Sequence, residues 1–291
     1  MIGAVNKNMN MLTTSLGAIE IAYYDVGPRD EEDVIVLLHD GAYGSSAKLA
    51  WEKVMPELAE RFRVIAPDLV GYGASSKATF FDRPPQAAHG DVIAAFLANV
   101  GIEAPRVHVV GSSFGGSAAV TAARTQFGRP FISAVSIGGS LGHGRNGDAF
   151  DELQHYDQSI EDARRITGLL VEDVDQWEIH VKERHANGLL PGHWEALSAA
   201  RVRAPQRDAA AGPPPLADRL ASCHAPVLFV EGENDQLLVR GWTEELAAMV
   251  PNGRAVTVPG AHCPNIDRPE GVVEVVVNFV ESVSSESQVL S

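Results

Sequence analysis

The sequence is poor in cysteine, poor in basic charge and free of long apolar runs. Two cysteines, Cys223 and Cys263, in 291 residues are too few for a disulfide framework. Lys and Arg number 23 against 38 Asp and Glu, giving a formal net charge of −15 and a pI near 5.0. That balance excludes a nucleic-acid surface, which needs basic patches. It also argues against docking on an anionic membrane face. No stretch approaches the roughly 18 apolar residues that span a bilayer. Met1–Thr14 carries one Lys and lacks the apolar centre of a secretory leader. The expected partner is therefore a small molecule, with no nucleic acid and no membrane, and the expected location is the cytoplasm. No internal repeat is visible.

Apolar residues make up 45% of the chain, enough for a large core. Apolar runs at Val34–Leu38, Arg63–Ala66, Arg106–Val110 and Ile132–Ile137 alternate with helical stretches at Trp51–Glu60, Gln86–Val100 and Gly116–Phe127. Such alternation predicts crossover units and a mostly parallel sheet in the α/β class. After Gly138-Gly139-Ser140 the pattern becomes polar and helix-prone, with a Gly-rich beginning at 142–147 and a Pro-rich end at 212–215. We expect a helical cap over 140–214, inserted between core segments 12–139 and 215–284. Residues 1–11 and 285–291 are expected to be flexible termini. Pro226–Val230 and Arg254–Val258 complete the strands, and Glu270–Val283 the closing helix.

The stretch Gly111-Ser112-Ser113-Phe114-Gly115-Gly116 sits between a strand and a helix. A G-x-S-x-G in that setting is a tight turn that lifts the serine hydroxyl above the sheet. Ser113 is therefore the candidate nucleophile. A serine needs a base, and the base needs an orienting acid. Asp235 stands just beyond the strand ending in Glu231-Gly232, and His262 follows the next strand in a Gly-Ala-His loop. Loops at the carboxyl ends of a parallel sheet converge on one crevice. Glu233 and Asp267 compete for the acid role, although Asp267 also suits the cap of the final helix. The loop after Val34–Leu38, His39-Asp40-Gly41-Ala42-Tyr43-Gly44, is rich in small residues and can aim amides at a developing oxyanion. The expected donors are the N–H groups of Phe114 and Gly41, with His39 as a structural hydrogen-bonding residue. His180 and His185 are five apart and do not share a helical face, so no metal is expected. No cofactor is implied either.

These motifs, with the glycine turn at Asp68-Leu69-Val70-Gly71-Tyr72-Gly73, resemble the α/β-hydrolases over nearly the whole chain. Within them the sequence is similar to the meta-cleavage-product hydrolases, which cut a C–C bond in vinylogous diketo acids. The likeness rests on the 39–46 loop, on Trp51–Leu58, and on cap segments 159–165, 178–186 and Pro191-Gly192. It implies an α/β-hydrolase fold, a homodimer or higher homo-oligomer, and a cap arginine, Arg184, that grips a substrate carboxylate. It also implies a pocket lined at Ser112, Cys263 and Ala42. That family commonly has Asn where Ser112 stands, Trp where Cys263 stands, and a run of glycines where Asp40 interrupts. A carboxylesterase or lactonase on a small acyl substrate, and a small-molecule sensor of the same fold, are the alternatives that the residues leave open.

Overall fold

The computed structural model describes residues 9–128, 130–172, 177–199 and 213–289. Its first strands, β1 (Leu12–Leu16) and β2 (Ile19–Val26), form an antiparallel hairpin. Then come β3 (Asp33–Leu38), β4 (Arg63–Pro67), β5 (Arg106–Ser112), β6 (Ser133–Ile137), β7 (Val227–Gly232) and β8 (Gly253–Val258). They make one eight-stranded sheet in the order β1-β2-β4-β3-β5-β6-β7-β8. Strand β2 meets β4 antiparallel, and every pair from β4 to β8 is parallel.

Successive strand side chains point to opposite faces, so the apolar runs serve two cores. Val34, Val36, Leu38, Val107 and Val109 pack on one face against α3 (Pro85–Asn99), α4 (Phe114–Thr125) and α10 (Trp242–Ala247). Ile35, Leu37, Val110 and Val135 pack on the other against α1 (Ala47–Trp51), α2 (Met55–Leu58) and α12 (Pro269–Val289). Both faces are covered, which is why these strands read as continuous apolar runs.

The helix expected over Trp51–Glu60 is instead two short ones. Ser46 caps α1, its hydroxyl accepting from the Leu49 N–H at 3.1 Å. Pro56 lacks the N–H needed to continue that helix and opens α2. The closing helix outruns its expected end at Val283 and reaches Val289, so residues 285–289, expected to be flexible, are helical. Its last turns are tied to the sheet by Ser284, whose hydroxyl donates to Asp33 at 2.7 Å.

Between β6 and β7 the chain leaves the sheet for α5 (Gly147–Gln154), α6 (Ile160–Leu170), α7 (Trp177–Gly188) and α8 (His193–Ala199). It returns through α9 (Leu216–Ala221), and α11 (Pro264–Asp267) follows the last strand. Residues 200–212 of the expected cap, Arg201 and Arg203 among them, lie outside the described residues, as do residues 1–8, 129, 173–176, 290 and 291. Ile166, Leu170 and Leu197 of these helices join the core on the α3/α4 side. The cap also zips to the body. The Gly144 carbonyl accepts from Val239 N–H at 2.7 Å, Arg145 pairs with Leu238, and Asn146 N–H donates to the Leu237 carbonyl at 2.9 Å. No helix among the described residues is long and apolar enough to cross a membrane.

Candidate active site

Strand β5 runs to Ser112 and α4 begins at Phe114, leaving Ser113 alone in the turn. Its backbone sits at φ 53° and ψ −113°, a left-handed conformation that costs a non-glycine residue on the order of 1–3 kcal/mol. The turn tolerates it because its neighbours are glycines. A Cβ at Gly111 would run into the Gly115 carbonyl, and one at Gly115 into the Leu38 carbonyl. The Ser113 N–H is held by the Ile137 carbonyl at 2.6 Å.

From there a hydrogen-bonded chain runs across three loops. Ser113 Oγ lies 2.9 Å from His262 Nε2, and His262 Nδ1 lies 2.8 Å from Asp235 Oδ2. The other Asp235 oxygen accepts from the N–H groups of Leu237 and Leu238 at 2.8 and 3.2 Å. These amides fix the carboxylate and satisfy it. Gly138, at φ +60°, presses on the imidazole; a Cβ there would lie 2.6 Å from the His262 carbonyl and 3.0 Å from Cε1. Glu233 is exposed and takes no part. Asp267 does not cap the closing helix. Its Oδ2 accepts from Ala261 N–H at 3.1 Å and from Glu172 N–H at 2.8 Å, fastening the His262 loop to the cap. Burial raises its pKa, and its Oδ1 has no partner among the described residues.

On the other side of Ser113, His39 orients the loop after β3. Its Nε2 accepts from Leu69 N–H at 2.9 Å, so the proton sits on Nδ1 and donates to the Asp40 carbonyl at 2.6 Å. Burial lowers the His39 pKa and keeps the ring neutral. The carbonyl it grips shares a peptide plane with the Gly41 N–H, which therefore points the opposite way. Gly41 abuts Phe114; a Cβ on it would come within 2.7 Å of the Phe114 Cβ. The Ala42 N–H is already given to Asp40 Oδ1 at 3.0 Å. Gly41 and Phe114 keep amides that donate to no group among the described residues.

Ser113, Gly41, Phe114 and Ala42 line a cavity of about 400 Å³, with Arg145, Phe150 and Leu153 on its cap side. A second, apolar cavity of about 160 Å³ adjoins it across Gly41, Pro85 and Phe114. Ser112, Cys263 and Arg184 are buried and lie outside the lining of the larger cavity. Ser112 Oγ donates to Asn265 Oδ1 at 2.9 Å, and Cys263 N–H to the Leu170 carbonyl at 2.8 Å. Cys263 is fully buried, and burial pushes its thiol well above its usual range, the reverse of what activates a cysteine nucleophile. Arg184 is 1% exposed; its Nη1 donates to the Tyr43 carbonyl at 3.1 Å and lies 3.7 Å from Asp40 Oδ1. Burial opposes ionisation of Asp40, yet Arg184 and the hydrogen bonds to its carboxylate outweigh it and hold its pKa below the ordinary value. Sequence reasoning passed over Arg145, which stands in the Gly-rich start of the cap and offered no signal beyond its place after β6. Among the described residues no group of three or more His, Cys, Asp or Glu is placed to hold a metal ion.

A parallel sheet crossed at its carboxyl edge by a strained serine, a histidine and an aspartate defines a class, and the comparisons agree with it. The chain belongs to the alpha/beta hydrolase family, which it matches over residues 35–275. It is 27% identical over 277 residues to a 2-hydroxy-6-oxo-2,4-heptadienoate hydrolase of Pseudomonas putida, covering 91% of this chain and 94% of that one. A meta-cleavage product hydrolase has a similar fold, with a TM-score of 0.75 at 21% identity over 93% of this chain and 98% of its own. So does the enol-lactonase from Burkholderia xenovorans, with a TM-score of 0.73 at 17% identity over 93% of this chain and 100% of its own. At those identities the two structures speak for the fold alone.

Proposed function

We propose that this protein is a serine hydrolase that cleaves a C–C bond beside a ketone in a small vinylogous diketo acid. The observation that carries the reading is the unbroken Ser113–His262–Asp235 chain at the wall of a cavity, with two unspent amides beside it. The near-full-length likeness to a 2-hydroxy-6-oxo-2,4-heptadienoate hydrolase supports the substrate class.

The dienol first ketonises, which turns the departing fragment into a stabilised leaving group. Ser113 Oγ then attacks the ketone carbonyl while His262 Nε2 takes its proton. Asp235 holds the Nδ1 proton in place and stabilises the imidazolium. The oxyanion rests on the Gly41 and Phe114 amides. Collapse breaks the C–C bond, and the proton on His262 passes to the leaving carbon. Water deprotonated by His262 releases the acyl group from Ser113 as a carboxylic acid.

A second reading, an esterase or lactonase running the same steps on an acyl oxygen, has one observation in its favour. Asp40 stands 3.7 Å from Arg184 and cancels the charge that a C–C substrate's carboxylate was expected to meet there. One paired assay separates the two. Wild type and Ser113→Ala are offered a yellow 2-hydroxy-6-oxo-hexa-2,4-dienoate with a methyl or phenyl end, and a short p-nitrophenyl ester. Ser113-dependent bleaching that outpaces ester cleavage is the expected result. Ester cleavage with no loss of dienoate replaces the first reading with the second.

A further inference from the structure

We propose that Arg145, and not the cap arginine Arg184, receives the carboxylate of this enzyme's substrate, which is accordingly a small acyl compound with a free acid group on the cap side of its scissile carbonyl. The inference rests on Ser113 being the nucleophile.

Arg145 is the one charged side chain among the described residues that line the cavity holding Ser113. In a chain of net charge −15 most of the described arginines are spoken for: Arg106 reaches Asp33 at 2.7 Å, Arg164 reaches Glu178 at 2.9 Å, and Arg268 reaches Glu172 at 2.9 Å. Arg145 has no carboxylate within ion-pair distance among the described residues. Its guanidinium lies 4.5 Å above the Phe150 ring, which covers one face, and its N–H groups have no hydrogen-bond partner among the described residues. Its backbone is clamped by the pairing with Leu238 and by the flanking bonds of Gly144 and Asn146 to the Asp235 loop. A side chain at Gly142, which stands at φ +91°, would reach the guanidinium, its Cβ 3.9 Å from Arg145 Cζ. A planar, permanently charged fork, exposed at a cavity wall without a counter-ion among the described residues, is suited to a carboxylate.

Arg184 is placed differently: its Nε and Nη2 are buried with no hydrogen-bond partner among the described residues, but it lies outside the lining of the cavity that holds Ser113. It is buried with Asp40 as a near-neutral pair, and one guanidinium N–H already holds the Tyr43 carbonyl. A substrate carboxylate placed there would add an uncompensated buried charge, which is costly. Arg184 instead steadies the loop that carries Gly41, and is a positioning residue.

The test compares p-nitrophenyl hydrogen glutarate with p-nitrophenyl valerate, acyl chains of equal length that differ in a terminal carboxylate. Wild type is expected to favour the glutarate. In Arg145→Gln the ratio of kcat/KM for charged over neutral ester falls about tenfold, through KM. Arg145→Lys, which keeps the charge but loses the fork, falls between the two. No preference in the wild type, or an equal loss on both esters, overturns the assignment. Ser113→Ala protein tests Arg145 without turnover, by calorimetric binding of 4-phenylbutyrate against neutral 4-phenylbutanol. Weaker binding of the acid alone after Arg145→Gln upholds the assignment even where both esters resist wild type, and in that case only the nucleophile reading fails. Equal binding of the acid with and without Arg145, or no binding at all, overturns it.

Discussion

The described residues include two hydrogen-bonded groups of Ser, His and Asp, one at each end of the sheet. At the carboxyl ends of the strands, Ser113, His262 and Asp235 are joined at 2.9 and 2.8 Å. At the amino ends, His108 lies 2.7 Å from Ser133 Oγ and 3.0 Å from Asp33 Oδ1. Distance does not tell them apart. Surroundings do. Ser113 is forced into a left-handed turn over a cavity beside free amides, whereas Ser133 is a regular residue of β6 with no exposed surface. Asp235 faces His262 with only amides on its other oxygen; Asp33 is also gripped by Arg106 through two bonds of 2.7 and 2.8 Å. A carboxylate neutralised by an arginine has little left with which to stabilise an imidazolium. The first group is equipped for proton transfer and the second ties strands together.

Breaking the comparison starts with the two serines. Ser113→Ala should lower turnover about 10⁴-fold or more with Tm nearly unchanged, measured by steady-state kinetics and thermal melts. Ser133→Ala should leave turnover intact. The acids follow. Asp235→Asn should cost about 10⁴-fold in kcat by upsetting the tautomer of His262. Asp33→Asn should leave kcat alone and cost about 2 kcal/mol in urea unfolding, since it strips Arg106 and His108 of their partner. Gly138→Ala, which pushes on the imidazole, should reduce kcat about a hundredfold while KM holds.

Acid sharpens the contrast. His193 in α8 accepts from Gly44 N–H at 2.9 Å and donates to the Gly71 carbonyl at 2.9 Å, and burial lowers its pKa to about 4. The unfolded chain takes up that proton near pH 6.5, so the stability that neutral His193 contributes is complete above 6.5 and drains away as pH falls toward 4. The loss is about 3 kcal/mol by pH 4. Melts between pH 7 and pH 4 should show a shallower fall in Tm for His193→Gln. The smallest effect is the stability cost of Ser133→Ala, about 1–2 kcal/mol for an orphaned imidazole nitrogen.

Much of the site could be read from the chain because its parts are local. The Ser113 turn is written in three glycines between a strand and a helix, and Asp235 stands where a strand ends. The strand-end rule is equally blind to what depends on distant pairing. That Asp40 cancels Arg184 joins positions 144 apart. The Asp267 bond that fastens the His262 loop runs to a backbone amide of the cap. His108 and Ser133 sit inside apolar runs, where nothing local marks them as partners. Arg145 drew no notice because a lone arginine in a glycine-rich loop is ordinarily a solvated charge. The single helix expected over Trp51–Glu60 misses the break that Pro56 enforces, and the end expected at Val283 misses the extra turns of α12, which depend on Ser284 reaching Asp33.

The ribbon that zips residues 144–146 to residues 237–239 has a further consequence. Leu237 and Leu238, which lend their carbonyl or bridge partner to the cap, also lend their amides to Asp235. The cap is thus not a detachable cover but part of the mount for Asp235, the acid of the proposed triad. Transplanting a relative's cap to change substrate range would have to carry that ribbon across intact. A chimera joined inside it should inherit a new pocket and a misaligned carboxylate at once.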